Sequence, residues 1–193
     1  MNCSSPIDAG LLVDYWLALL AGPEEEAVEE HLLGCDACGK RLQEIVSLAA
    51  GIRNLAQEGA LRMIVSDTFL QSAAAEGLRI RQYEVSPGKS VECTVTAEDD
   101  LLIGRLAADL HGAGRVDLSL CNASGVEQVR LADIPVHSGT ASIAYQESSR
   151  FMKAAPTSTL IARLMAVQDN GSETLLGEYT FNHTRSLPGP GDW

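Results

Sequence analysis

The residues best suited to chemistry lie near the amino end of the chain, where His31, Cys35 and Cys38 form the pattern H-x-x-x-C-x-x-C. Two thiolates separated by two residues can face one ion from a bend that enters a helix, and a histidine four residues earlier can reach that ion from the preceding helix. A closed zinc site needs a fourth ligand, and Cys3 is the only Cys or His before His31. The spacing therefore predicts a structural zinc site made by Cys3, His31, Cys35 and Cys38.

Other interpretations of these residues remain open. A C-x-x-C pair can be two unrelated buried thiols or a redox pair, and a histidine near a helix end can simply cap carbonyls. A thioredoxin-like motif is disfavoured because no predicted strand leads into the pair. The chain has five cysteines, an odd number that does not suggest a disulfide framework. The remaining cysteines are interpreted as small buried residues of strands, and the remaining histidines receive no role: Cys93, Cys121, His111, His137 and His183.

Four helices are predicted around these donors. The sequence Ser5-Pro6-Ile7-Asp8 favours a helix start, because it offers a hydroxyl cap, a proline at the first helical position and an acid in the first turn. Further helices are predicted over residues 24–33, 36–55 and 60–75. The first and fourth helices carry apolar residues at spacings of three and four: Leu11, Leu12, Tyr15, Trp16, Leu19 and Leu20 in the first, and Leu61, Ile64, Val65, Phe69 and Leu70 in the fourth.

Beyond Gly77 the pattern changes to short alternating runs broken by turn residues. It predicts strands over residues 78–85, 91–96, 101–108, 116–121, 126–133, 140–145, 158–167 and 173–182. The predicted fold class is α+β with two segregated domains: a zinc-binding helical bundle over residues 1–76 and an antiparallel β-sandwich or barrel over residues 77–185. Residues 186–193, rich in Pro and Gly, are predicted to be a flexible tail.

The charge of the chain limits its partners. The formal net charge is -12, and residues 1–76 hold 12 acidic and 4 basic residues. Nucleic-acid binders neutralise phosphates with clustered Lys and Arg, so direct binding to DNA or RNA is not expected. An acidic surface instead attracts a basic protein, which can itself be a nucleic-acid binder.

Membrane insertion and enzymatic activity are not expected either. No stretch approaches the roughly 20 apolar residues of a membrane span. The apolar run over residues 10–22 contains Asp14 and follows no Lys or Arg, so it does not resemble a secretory signal and a cytoplasmic location is predicted. The sequence has no glycine-rich phosphate loop, no G-x-S-x-G, no H-E-x-x-H and no convincing catalytic acid pair, so no enzyme is predicted.

Residues 3–76 resemble the zinc-binding anti-sigma factors that hold extracytoplasmic-function (ECF) sigma factors inactive. The resemblance rests on the upstream Cys3, the first amphipathic helix, the glutamate-led second helix and the sequence Glu30-His31-Leu32-Leu33-Gly34-Cys35-Asp36-Ala37-Cys38. It implies a three-helix bundle and a more mobile fourth helix that together insert between the two domains of the sigma factor. Such wrapping would cover the surfaces for core polymerase and promoter.

The resemblance implies a mixture of core and partner contacts on the first and fourth helices: Leu12, Tyr15, Trp16, Leu19, Ile64, Val65, Phe69 and Leu70. Some members of that family exchange zinc for a disulfide between the upstream and paired cysteines on oxidation, whereas others hold zinc only for structure. Many relatives continue into a membrane helix, whereas this sequence continues into predicted strands, so an intracellular signal is expected. The alternative is a ligand-binding or assembly protein whose β domain is the functional part and whose zinc domain is structural.

Overall fold

The computed structural model describes residue 3 and residues 5–136, 139–168 and 170–185. The chain divides into two compact units, Met1–Asn54 and Leu55–Trp193, here called the helical unit and the β unit. The elements are α1 (Ala9–Trp16), α2 (Gly22–Gly34), α3 (Asp36–Gln57), β1 (Met63–Val65), α4 (Asp67–Ala75), β2 (Ile80–Val85), β3 (Ser90–Cys93), β4 (Leu101–Ala107), β5 (Val116–Cys121), β6 (Glu127–Ile134), β7 (Ser142–Glu147), α5 (Ser149–Ala154), β8 (Ser158–Val167) and β9 (Glu173–His183). The predicted tail over residues 186–193 and His137 lie outside the described residues.

The first three helices follow the sequence signals with small shifts at their ends. Helix α1 begins after Asp8, not after Ser5, because the Asp8 carboxylate accepts a hydrogen bond of 2.8 Å from the backbone N–H of Gly10. Helix α2 has a proline in its first turn, followed by Glu24 and Glu25, which suit the positive end of the helix dipole. Helix α3 begins at Asp36, as the sequence predicts.

The predicted helix over residues 60–75 is wrong in its first half. Met63–Val65 forms β1, which pairs antiparallel with β7, and α4 begins only after Ser66, whose hydroxyl accepts a hydrogen bond from the backbone N–H of Phe69. The apolar run that ends in Ile64 and Val65 fits a strand as well as a helix, since periodicity cannot distinguish the two in so short a run. The two compact units meet at residues 54 and 55, within α3, and the boundary after residue 76 stays a prediction from the sequence.

The strands of the β unit form two sheets of mixed orientation. The first has the order β1-β7-β4-β2 and the second the order β3-β9-β8-β5-β6. The pairs β2–β4 and β3–β9 are parallel, and the other pairs are antiparallel. The prediction of a purely antiparallel fold is wrong. Because β3 joins the second sheet, the chain returns to the first sheet before β4, and β4 then pairs parallel with β2. Both sheets have open edges, so they do not form a closed barrel.

The core of the β unit draws on both sheets. One cluster joins Leu106 and Tyr145 of the first sheet to Leu118, Leu164 and Phe181 of the second. A second cluster lies where α4 packs on the first sheet: Val65, Leu70, Ala73, Leu101, Ile103 and Ala144. Strand β4 contributes to both clusters, which explains its nearly continuous apolar sequence.

A glycine in β4 makes room for the ring of Tyr145. Gly104 lies directly opposite Tyr145 in the antiparallel pair of β4 and β7, and a Cβ atom at position 104 would collide with three carbons of the tyrosine ring. Tyr145 is 2% exposed and its ring packs edge to face with Phe181, at 6.0 Å between centroids. The ring therefore has little space into which it can move.

We expect Gly104→Ala to destabilise the β unit by about 1–3 kcal/mol, the usual cost of overpacking a core. The measurement is urea unfolding followed by the near-UV circular dichroism of tyrosine. Gly114→Ala is the matched control, because a Cβ atom at position 114 meets nothing within 4 Å. Equal unfolding midpoints for the two variants would show that a Cβ atom beside the ring of Tyr145 does not lower the free energy of unfolding.

Candidate metal centre

The four predicted ligands meet at one point in the helical unit. The donor atoms of Cys3, His31, Cys35 and Cys38 all lie within 4.8 Å of one another. The sulfur of Cys3 is 3.5 Å from Nε2 of His31 and 4.0 Å from the sulfur of Cys38. Zinc–sulfur and zinc–nitrogen bonds of about 2.3 and 2.0 Å place tetrahedral donors roughly 3.5–3.8 Å apart. The cluster therefore fits a zinc-binding site.

The ends of two helices position the paired ligands. His31 lies in the last turn of α2, and Cys38 lies in the first turn of α3. Cys35 is the single residue between the two helices, with extended backbone angles of φ -134° and ψ 95°. Cys3 approaches from the segment that precedes α1. The site thus connects three parts of the helical unit that are separate in sequence.

The local electrostatics favour a thiolate at one sulfur. The backbone N–H of Cys38 and the thiol of Cys3 donate hydrogen bonds that lower the pKa of Cys35 to about 6. At Cys3 the backbone N–H of Ser5 acts to lower the pKa of the thiol, but desolvation and the neighbouring sulfurs outweigh it and raise that pKa. Thiolates are the form that binds metal, so the lowered pKa of Cys35 favours metal binding at this sulfur.

The donor set also indicates the kind of metal chemistry. Three thiolates and one imidazole are soft and borderline ligands that suit zinc in a structural site. When all four protein ligands bind, no coordination position is left for a substrate. The arrangement can therefore hold segments of chain together and does not suit hydrolysis at the metal.

The eight residues predicted for core and partner contacts separate into two groups. In α1 and just beyond it, Leu12 is fully buried and Tyr15 half-buried, whereas Trp16 and Leu19 are 38% and 68% exposed. The other four were assigned to a helix of the bundle, but they belong to the β unit. Ile64 and Phe69 pack against its core clusters, and Val65 and Leu70 are buried in one of them. Only Trp16 and Leu19 therefore offer well-exposed apolar surface.

Sequence analysis missed a second group of polar residues in the β unit. His183 is 2% exposed and Glu147 is 4% exposed, and both line a small internal cavity with Cys93. These residues come from β9, β7 and β3, which the chain brings together only through its sheet topology. Their spacing in sequence carries no ligand motif, so the sequence could not have shown the group.

No protein-family model and no curated protein matches this chain. Among solved structures, the chain is similar to the N-terminal domain of phage TP901-1 ORF48, with a TM-score of 0.36 and 9% sequence identity. That match covers 56% of this chain and 100% of the phage domain. In the described part of the chain, every helix is too short or too polar to cross a bilayer.

We expect one metal ion per chain, retained only while all four donors are present. Cys3→Ser, Cys35→Ser and Cys38→Ser should each weaken zinc binding by more than the ~10–100-fold that loss of an outer-shell partner costs. The measurement is metal content together with competition against a chromogenic chelator. Cys121→Ser is the control, since Cys121 is a buried cysteine of the β unit. Unchanged affinity in Cys3→Ser would contradict a four-ligand site.

Zinc binding should also release a characteristic number of protons. With a pKa of about 6, Cys35 is already a thiolate at pH 7.5, whereas Cys3, whose pKa is raised, still carries its proton. At pH 7.5 Cys3 should therefore contribute a proton to this release in the intact site, whereas Cys35 should contribute little. Calorimetry in buffers of different ionisation enthalpy counts these protons. As the pH falls through 6, Cys35 gains its proton and zinc affinity should decline.

Proposed function

We propose that this protein is an anti-sigma factor whose helical unit binds an ECF sigma factor and keeps it from starting transcription, with zinc as the bound metal. The observation that carries the proposal is the convergence of Cys3 with His31, Cys35 and Cys38. The resemblance in sequence rests on the same four residues. An upstream cysteine that meets the motif in space is what that resemblance requires.

The small core of the helical unit supports a structural role for the metal. Among its described residues, Leu12, Val28 and Cys38 are the apolar side chains that are fully or almost fully buried. So small a core supplies little stabilisation, and Cys38 is itself one of the four donors. Metal binding contributes folding free energy in such units, because the site does not exist in the unfolded chain. A metal-bound helical unit is therefore the form that binds the partner.

The surface of the helical unit suits a basic protein with apolar clefts. Trp16, Leu17 and Leu19 are exposed at the end of α1, and Leu48 and Ile52 are exposed on α3. Residues 1–54 hold nine acidic and three basic residues. A protein that binds promoter DNA presents Lys and Arg to phosphates, so an acidic partner can cover that surface. Exposed aromatic and aliphatic side chains supply the central contacts of such interfaces.

The alternative proposal is that the β unit binds a ligand and the helical unit is a structural addition. The buried cavity that contains His183 and Glu147 favours it. The two proposals differ in which unit acts on a partner. Variants confined to the surface of one unit therefore separate them.

We expect the full chain to repress one ECF sigma factor of its source cell. In the test, the chain is co-expressed with each such sigma factor and a reporter driven by its promoter. Trp16→Ala and Leu19→Ala should each weaken repression, because truncating a central interface residue costs about 2 kcal/mol or roughly 30-fold in affinity. Cys38→Ser, which removes a ligand, should abolish repression.

Leu175→Ala is the matched control, because Leu175 is an apolar residue of β9 that is 51% exposed. It should leave repression unchanged. Leu12 is unsuitable as a test of contact because it is fully buried, so its truncation would damage the helical unit itself. Failure of the zinc-loaded chain to repress any of the sigma factors would reject the proposal.

A further inference from the structure

The β unit contains a small cavity lined by residues of both sheets and of α5. Its volume is about 30 Å³. Tyr83, Tyr145 and Phe181 provide aromatic walls, and Met152 of α5 lies on another side. A cavity needs about 10–15 Å³ to hold one water molecule, so this space holds roughly two non-hydrogen atoms. The cavity belongs to the β unit, whereas the metal centre belongs to the helical unit.

Two buried polar side chains in this wall have atoms without a hydrogen-bond partner. Both ring nitrogens of His183 are unpaired, and so is Oε2 of Glu147. The carbonyls of Met152 and Ala155 lie near enough to the imidazole to favour its charged form, but neither completes a hydrogen bond. Buried polar atoms in native proteins are almost always paired, so these atoms indicate that water or a ligand occupies the cavity.

The other oxygen of Glu147 is already paired. Oε1 accepts a hydrogen bond of 2.5 Å from Nε of Arg62 and one of 2.8 Å from the backbone N–H of Ser148. These two contacts fix the carboxylate and leave Oε2 as a pure acceptor. Burial lowers the pKa of His183, so its ring is neutral and offers one acceptor nitrogen and one donor. The cavity therefore presents two acceptors.

Catalysis and metal binding are less compatible with this cavity than ligand binding. Cys93 and His183 are partners in the register of β3 and β9, but burial raises the pKa of the Cys93 thiol to about 11, which keeps it protonated. A protonated thiol is a poor nucleophile and a poor metal ligand. Within the described residues, the four donors of the helical unit are the group of three or more that comes close enough to hold an ion.

We propose that this cavity binds a small primary ammonium group, either the ammonium ion itself or the methylammonium-sized end of an amine. An ammonium group carries several N–H donors and can pair with both Oε2 of Glu147 and the acceptor nitrogen of His183. Tyr83, Tyr145 and Phe181 line the same cavity, and aromatic rings attract a cation that lies over a ring face. The buried carboxylate repels an anion of the same size. This inference names the class of ligand for the alternative in which the β unit binds one, and it does not depend on the anti-sigma role.

The test compares two probes of equal size on the zinc-loaded full chain: methylammonium and methanol. Two non-hydrogen atoms bind no more tightly than the millimolar range, so NMR titration at constant ionic strength is the suitable measurement. We expect methylammonium to saturate with a Kd at least tenfold below that of methanol. Its methyl protons should show nuclear Overhauser effects to the rings of Tyr145 and Phe181. Tetramethylammonium, which is too large for the cavity, should not bind.

Glu147→Gln should weaken methylammonium binding at least tenfold, because it removes the buried negative charge. Glu178→Gln is the matched control, since Glu178 makes an exposed ion pair with Arg163 elsewhere on β9. Equal binding of methylammonium and methanol, or absence of the Overhauser effects, would overturn the proposal and leave water as the occupant. If Glu147→Gln does not fold, the comparison of probes on the native chain decides the outcome.

Discussion

The convergence of four donor atoms is the constraint on which the helical unit depends. Cys3 precedes α1, whereas the other three donors lie at the junction of α2 and α3, so one ion can hold all three helices. Few apolar side chains of this unit are fully buried, and an ion bound by the four donors would supply a stabilisation that packing alone provides in larger domains. Because so few apolar side chains are buried, others remain on the surface, where a partner can cover them.

The β unit is held together differently, by a core that extends through both sheets. Its strand β4 packs against the opposite sheet on one face and against α4 on the other. In the first sheet Gly104 makes room for the ring of Tyr145, while the polar side chains of Glu147 and His183 line the cavity. Apart from Oε1 of Gln146, the buried side-chain atoms without a partner in the described part of the chain lie at this cavity, where we propose a ligand.

Sequence patterns predicted local features well and tertiary ones poorly. The ligand spacing and the start of α3 could be predicted from the sequence because both depend on neighbouring residues. The strand over Ser158–Val167 was predicted with its observed bounds. Strand β1 and helix α5 were missed because each is short and gains its stability from contacts with distant residues. The parallel pairs and the group around His183 depend on which sheet each strand joins, which periodicity does not encode.

The open edges of the two sheets have a consequence for how the protein behaves at high concentration. Unpaired edge strands can template the addition of strands from other molecules, which leads to aggregation. Here β1 has three residues and β3 has four, which limits the ladder that either can offer. Edge strand β2 has six residues and carries Arg81, which is paired with Asp99. Edge strand β6 carries Arg130, paired with Glu127 and Glu173, and has an irregular register against β5. The edge strands are therefore short, charged or irregular, and these properties discourage self-association although the sheets do not close into a barrel.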